Sequence, residues 1–144
     1  MRRRRARRQA EEFLSRTIQV RSVAPSISLN SESRREEEPK VESSSWLEVH
    51  GDLDSLLKDV FDVTIAVHPQ DPLRVGTVRP VAVGAVIGIS YTVSVVVALL
   101  PADFDRLWTL AVSGQLKFAS LTLTPPKYGS ALVLNAGFSS EREE

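Results

Sequence analysis

Two histidines and the carboxylates near them are the first residues with chemistry to offer. His50, Asp52 and Asp54 alternate along one short run, and His68 lies three residues before Asp71. Two imidazoles and a carboxylate can hold a transition metal. The first trio, however, spans an expected strand end and the Gly51-Asp52 turn, so its spacing does not bring the side chains together. The expectation is a solvated loop histidine on each side and no metal. Asp103 and Asp105 form a carboxylate pair of the kind used in acid–base chemistry. Positions two apart on a helix do not face each other, and both residues suit the positive end of a helix dipole instead.

The inventory of catalytic motifs is bare. The chain has no cysteine, which removes disulfides, thiol nucleophiles and thiolate metal sites. It has no Gly-x-Ser-x-Gly nucleophile elbow. It also lacks a phosphate-binding Gly-rich loop ending in Lys-Ser/Thr and a Gly-x-Gly-x-x-Gly fingerprint. This points away from an enzyme and calls for no cofactor.

The most suggestive cluster is basic. Arg2, Arg3, Arg4, Arg5, Arg7 and Arg8 stand within seven positions. Such a block can contact phosphates and bind nucleic acid without reading its sequence. The rest of the chain argues against that use. Residues 1–45 carry eleven Lys+Arg against seven Asp+Glu, whereas residues 46–144 carry seven against eleven. The acidic part shows no interleaved basic and aromatic stripe for stacking bases. Lys117, Phe118, Lys127 and Tyr128 come nearest. Phe118 falls on the face opposite Lys117 and is expected in the core. Lys127 and Tyr128 fall in a loop and are candidates for contact with a partner.

The elements that would position these residues are read from periodicity. Residues 1–45 lack the apolar density of a core and are expected to be a disordered, charged arm and linker, with a short helix over Gln9–Arg21. Asn30–Ser45 is rich in serine and charge, as disordered segments are. A single domain is expected over residues 46–140, followed by a charged tail at 141–144. Within the domain, a strand is expected from Trp46. Leu53, Leu56, Leu57 and Val60 have the i, i+3, i+4, i+7 spacing of a helix with Asp52 as N-cap. Phe61–Val67 alternates as a half-buried strand. The two prolines of His68–Pro72 break it.

Pro80–Ala102 is uncharged. Val81–Leu100 is long enough to span a bilayer as a helix, which gives a single-pass membrane protein as an alternative. Its Val, Ile and Thr content favours strands, and Gly84 and Gly88 suit a turn or bulge. One or two buried strands are therefore expected. Pro101 opens a helix whose face carries Phe104, Leu107, Trp108 and Ala111, closed by Gly114. Two strands, Leu116–Thr124 and Ser130–Ser139, follow as a hairpin across Pro125–Gly129.

The pattern predicts an α+β fold: a small, mostly antiparallel sheet with one or two helices packed on one face, preceded by the disordered charged arm. The expected function is a non-enzymatic interaction module that binds a protein partner, with the 116–139 hairpin edge offered for strand addition. Nucleic-acid binding through the Arg block is the alternative. Glu11 and Glu12 stand where a secretory signal needs apolar residues, so the expected location is the cytoplasm, or a membrane if residues 81–100 span one.

Overall fold

The computed structural model describes residues 13–32, 40–70 and 82–141. Among them are seven strands and one helix: β1 (Leu14–Glu32), β2 (Lys40–Leu57), β3 (Val60–Pro69), β4 (Gly84–Ile89), β5 (Val93–Leu99), α1 (Pro101–Val112), β6 (Phe118–Leu123) and β7 (Ala131–Ser139). The strands close into a barrel in the order β1-β2-β3-β5-β4-β7-β6. Every neighbour pair is antiparallel except β3 and β5. Closure comes from β1 and β6, with Leu14 opposite Leu123 and Gln19 opposite Phe118.

Period-2 patterning fills the barrel. Val63, Ile65 and Val67 of β3, Val93, Val95 and Val97 of β5, and Leu121 and Leu123 of β6 point inward and are buried. Branched side chains on alternate positions pack the lumen of a barrel this small. No described residue with a polar or charged side chain is buried. α1 lies at the barrel end reached by the C-termini of β3 and β5, and buries Phe104 and Leu107 there. Trp108 packs against Phe104 with ring centroids 5.9 Å apart and the ring planes tilted by 47°.

This architecture corrects the α+β expectation. The protein is a closed seven-stranded barrel with a single helix among the described residues, not a small open sheet with helices on one face. Leu14–Glu32, expected inside a disordered arm, forms β1 and supplies the buried Ile18. The part of the expected Gln9–Arg21 helix that is described is strand. Leu53–Val60, expected as a helix, is instead the end of β2 and a turn. The ladder between β2 and β3 jumps from Asp52–Asp62 to Leu57–Val60. Leu53 and Leu57, four residues apart, both face the core, as positions an even number apart on a strand do. Lys58 and Asp59 then turn the chain with φ of 50° and 66°, the left-handed pair of a tight hairpin.

The apolar run is two strands, β4 and β5, separated by a turn at Ser90–Thr92. Their ladder shifts between Val86 and Gly88, a bulge beside one of the two glycines. No helix among the described residues is long and apolar enough to cross a membrane.

Candidate functional site

The long β1–β2 hairpin outgrows the barrel. β1 pairs with β6 only up to Gln19, and Val20 N donates to Lys117 O at 2.9 Å. From Ser22 onward, β1 has β2 on one side and no partner among the described residues on the other. β2 pairs with β3 from Leu47 on, so Lys40–Trp46 pairs with β1 alone. The two-stranded part, Ser26–Glu32 against Lys40–Trp46, is seven residues long on each side, or roughly 23 Å at the usual rise per residue. It projects from the barrel end that carries α1.

The faces of this ribbon follow from one irregularity. The β1–β2 register shifts between Val20 and Ser22, which exchanges the inward positions of β1 from even to odd numbers. Ile18 is inward before the shift; Val23, Pro25, Ile27 and Leu29 share the inward face after it. Val23 and Pro25 stand opposite the buried Val49 and Leu47, and Ile27 and Leu29 opposite Ser45 and Ser43. The apolar lining of the barrel thus runs out along the ribbon into solvent. Ile27 is 63% and Leu29 69% exposed. Arg21 anchors the base from outside, paired with Asp52 at 3.3 Å and with Asp62.

Grooves flank the closed barrel among the described residues. One, of about 430 Å³, lies between α1 and β7 and is lined by Leu99, Leu107, Leu110, Ala136 and Phe138, with Asp103 and Arg106 on it. Another, of about 560 Å³, is polar and runs over Ser15, Thr17, Asp54, Ser120, Thr122 and Asn135.

The structure separates the residues that spacing had suggested for a metal. His50 Nδ1 lies 3.1 Å from Thr64 Oγ1, Asp52 is taken by Arg21, and Asp54 accepts the Thr17 N–H at 3.0 Å. No group of three potential ligands converges among the described residues. Asp71, the suggested partner of His68, lies outside the described residues, as do Arg2, Arg3, Arg4, Arg5, Arg7 and Arg8. Asp103 sits in the first turn of α1, 4.0 Å from Arg106.

Lys127 and Tyr128 lie in the β6–β7 connection, at the barrel end opposite the ribbon. Tyr128 is 99% exposed and has a φ of 54°. The neighbouring β4–β5 turn presents Tyr91, 96% exposed. Phe118, expected in the core, stands half-buried on the outer face, because Ala119, Leu121 and Leu123 take the inward positions of β6. In the 116–139 hairpin, β6 is paired on both sides, with β1 and β7, whereas β7 is paired with β4 only over Ala131–Val133, so Asn135–Ser139 has one side without a ladder partner among the described residues.

Ile27 and Leu29 escaped the sequence reading, which took their surroundings as a serine-rich arm. The signal was present in Val23-Ala-Pro-Ser-Ile-Ser-Leu29, an alternation of larger apolar with small residues over seven positions.

No family model matches this chain, and comparison with the curated proteins and with the solved structures finds no match.

Proposed function

We propose that the protein is a non-enzymatic interaction module that binds a protein partner by strand addition to its projecting ribbon. The observation that carries this reading is the β1 segment from Ser22, unpaired on one side among the described residues, with Ile27 and Leu29 standing in solvent. A row of free N–H and C=O groups is a template for another strand, and the alternating side chains supply the selectivity. A two-stranded ribbon is at best marginally stable in water, and a third strand or a covered apolar face stabilises it. The partner therefore stabilises the ribbon as the ribbon captures the partner. Support also comes from the barrel interior, which is filled mainly by Val, Ile and Leu.

The test is retention of proteins from an extract of the source cells on the immobilised full-length chain, compared with an Ile27→Asp/Leu29→Asp variant. Both residues are exposed, so the variant is expected to keep its fold by circular dichroism. The expected result is a retained set that falls at least tenfold in the variant. An undiminished set would remove the ribbon as the binding surface.

A further inference from the structure

We infer that the barrel end opposite the ribbon is a docking face for an anionic lipid surface. Four chain passages reach that end: the entry into β1 and the β2–β3, β4–β5 and β6–β7 connections. Each carries one exposed aromatic side chain in it or next to it: Phe13, Phe61, Tyr91 and Tyr128, in that order. The remaining aromatic residues, Trp46, Phe104, Trp108, Phe118 and Phe138, are buried or half-buried. The fold gains little from the exposed rings. Turns favour Gly, Asn, Asp and Ser, yet Tyr91 and Tyr128 stand almost wholly in solvent. Tyr128 also holds a φ of 54°, where Asn or Gly is less strained. Phe61 continues the inward row of Val63, Ile65 and Val67 past the barrel mouth, where it meets solvent in place of core. Leu56, Ile87 and Leu132 add exposed aliphatic surface near the same end, and apolar surface gathered in this way marks an interaction face.

Composition and charge select the occupant. A ring with a polar tip suits the boundary between hydrocarbon and water, and tyrosine is enriched there. Lys58 lies in the β2–β3 turn and Lys127 adjoins Tyr128. A lysine stem lies along apolar surface while its charge reaches outward. The Arg2–Arg8 block ends five residues before Phe13, so the chain tethers it within roughly 18 Å of this end. Residues 2–12 hold six Arg against two Glu. Apolar side chains and a basic segment are the two signals that together hold a protein on an anionic membrane.

Other occupants fit less well. A nucleic-acid strand needs a cationic track with rings aligned along it, whereas these rings stand on four separate passages, beside aliphatic side chains that stack no base. A protein strand needs an open ladder edge, and this end presents turns. The docking face lies at the far end of the barrel from the ribbon and does not depend on the ribbon's role. A chain held on lipid in this way leaves the ribbon projecting into solution.

The test is flotation of the full-length chain with vesicles of phosphatidylcholine alone and of an equimolar mixture with phosphatidylserine. Flotation is expected with the mixed vesicles only. Each basic residue near an anionic surface changes affinity roughly fivefold, so replacing Arg2, Arg3, Arg4, Arg5, Arg7 and Arg8 with Ser is expected to reduce it at least tenfold. Tyr91→Ser/Tyr128→Asn, which keeps turn-forming residues at both positions, is expected to reduce it by a similar factor with an unchanged circular dichroism spectrum. Trp46 and Trp108 lie toward the opposite end, on β2 beside the ribbon and on α1. Brominated lipid is therefore expected to quench the added tryptophan of Tyr128→Trp and to leave the parent's fluorescence unchanged. A chain that floats with neither vesicle overturns the inference. So does undiminished flotation of the Tyr91→Ser/Tyr128→Asn variant, which would mean that the basic block binds alone, and so does equal quenching in the parent. Binding to a single-stranded oligonucleotide that this variant loses, without flotation, also overturns it and makes nucleic acid the occupant.

Discussion

Two glycines four residues apart in the same apolar run are expected to respond in opposite directions to the same substitution. A Cβ added at Gly84 would stand 2.1 Å from Val96 O and 2.9 Å from Val97 Cα. Both obstacles are backbone of β5, so no side-chain rotation relieves them. β4 and β5 would have to separate at the point where β4 also holds β7, through Gly84–Val86 against Val133–Ala131. Gly84→Ala is therefore an overpacking substitution at the seam of the barrel, in a class that costs about 1–3 kcal/mol; contact with backbone on the partner strand puts it in the upper half, at about 2–3 kcal/mol. For a chain of this size that is a fall in Tm of roughly 8–12 °C. At Gly88, a Cβ meets nothing within 4 Å. Gly88→Ala then acts mainly by restricting the unfolded chain, with an effect between zero and a gain of about 1 kcal/mol. The assay is urea and thermal unfolding, followed by far-UV circular dichroism and by the fluorescence of Trp46 and Trp108. On a membrane-spanning helix the two glycines would share a face and respond alike. Equal shifts in the two variants, or a Gly84→Ala protein as stable as the parent, would refute the close β4–β5 approach and the barrel seam built on it.

Three other variants test the rest of the barrel. Ile65 is fully buried between Val49 and Val95, so Ile65→Ala is expected to cost about 2–5 kcal/mol, while Ile87→Ala, on the exposed face of β4, stays within about 0.5 kcal/mol; chemical denaturation of the pair measures both. Lys58 and Asp59 hold left-handed φ without being Asn or Gly, so Lys58→Asn/Asp59→Gly is expected to raise stability by about 1–2 kcal/mol, with no change in the circular dichroism spectrum; a loss of stability would refute the tight-turn geometry.

The sequence by itself determined the elements whose patterns are local. α1 was legible because Phe104, Leu107, Trp108 and Ala111 share one face, with proline at the start and glycine after the end. β3, β6 and β7 were legible from alternation, and the pair β4–β5 from β-branched residues interrupted by glycine and a Ser-Tyr-Thr turn. The exposure of Lys127 and Tyr128 also followed from their loop. What remained hidden depended on partners distant in the chain. Leu53–Val60 has a helical spacing of leucines, yet positions four apart also share one face of a strand, and the ladder to β3 with the left-handed turn at Lys58 and Asp59 decides for strand. The alternation of β1 is broken by the register shift between Val20 and Ser22; its order comes from β2 and from β6, with Leu14 paired to Leu123 across most of the chain. Without the barrel, Val23-Ala-Pro-Ser-Ile-Ser-Leu29 is a serine-rich stretch. Within it, a single register shift beside Arg21 decides that Ile27 and Leu29 continue the lining of the core into solvent. Hydrophobic periodicity reports which face of an element is buried, but only the pairing of strands far apart in sequence decides which edge is left open.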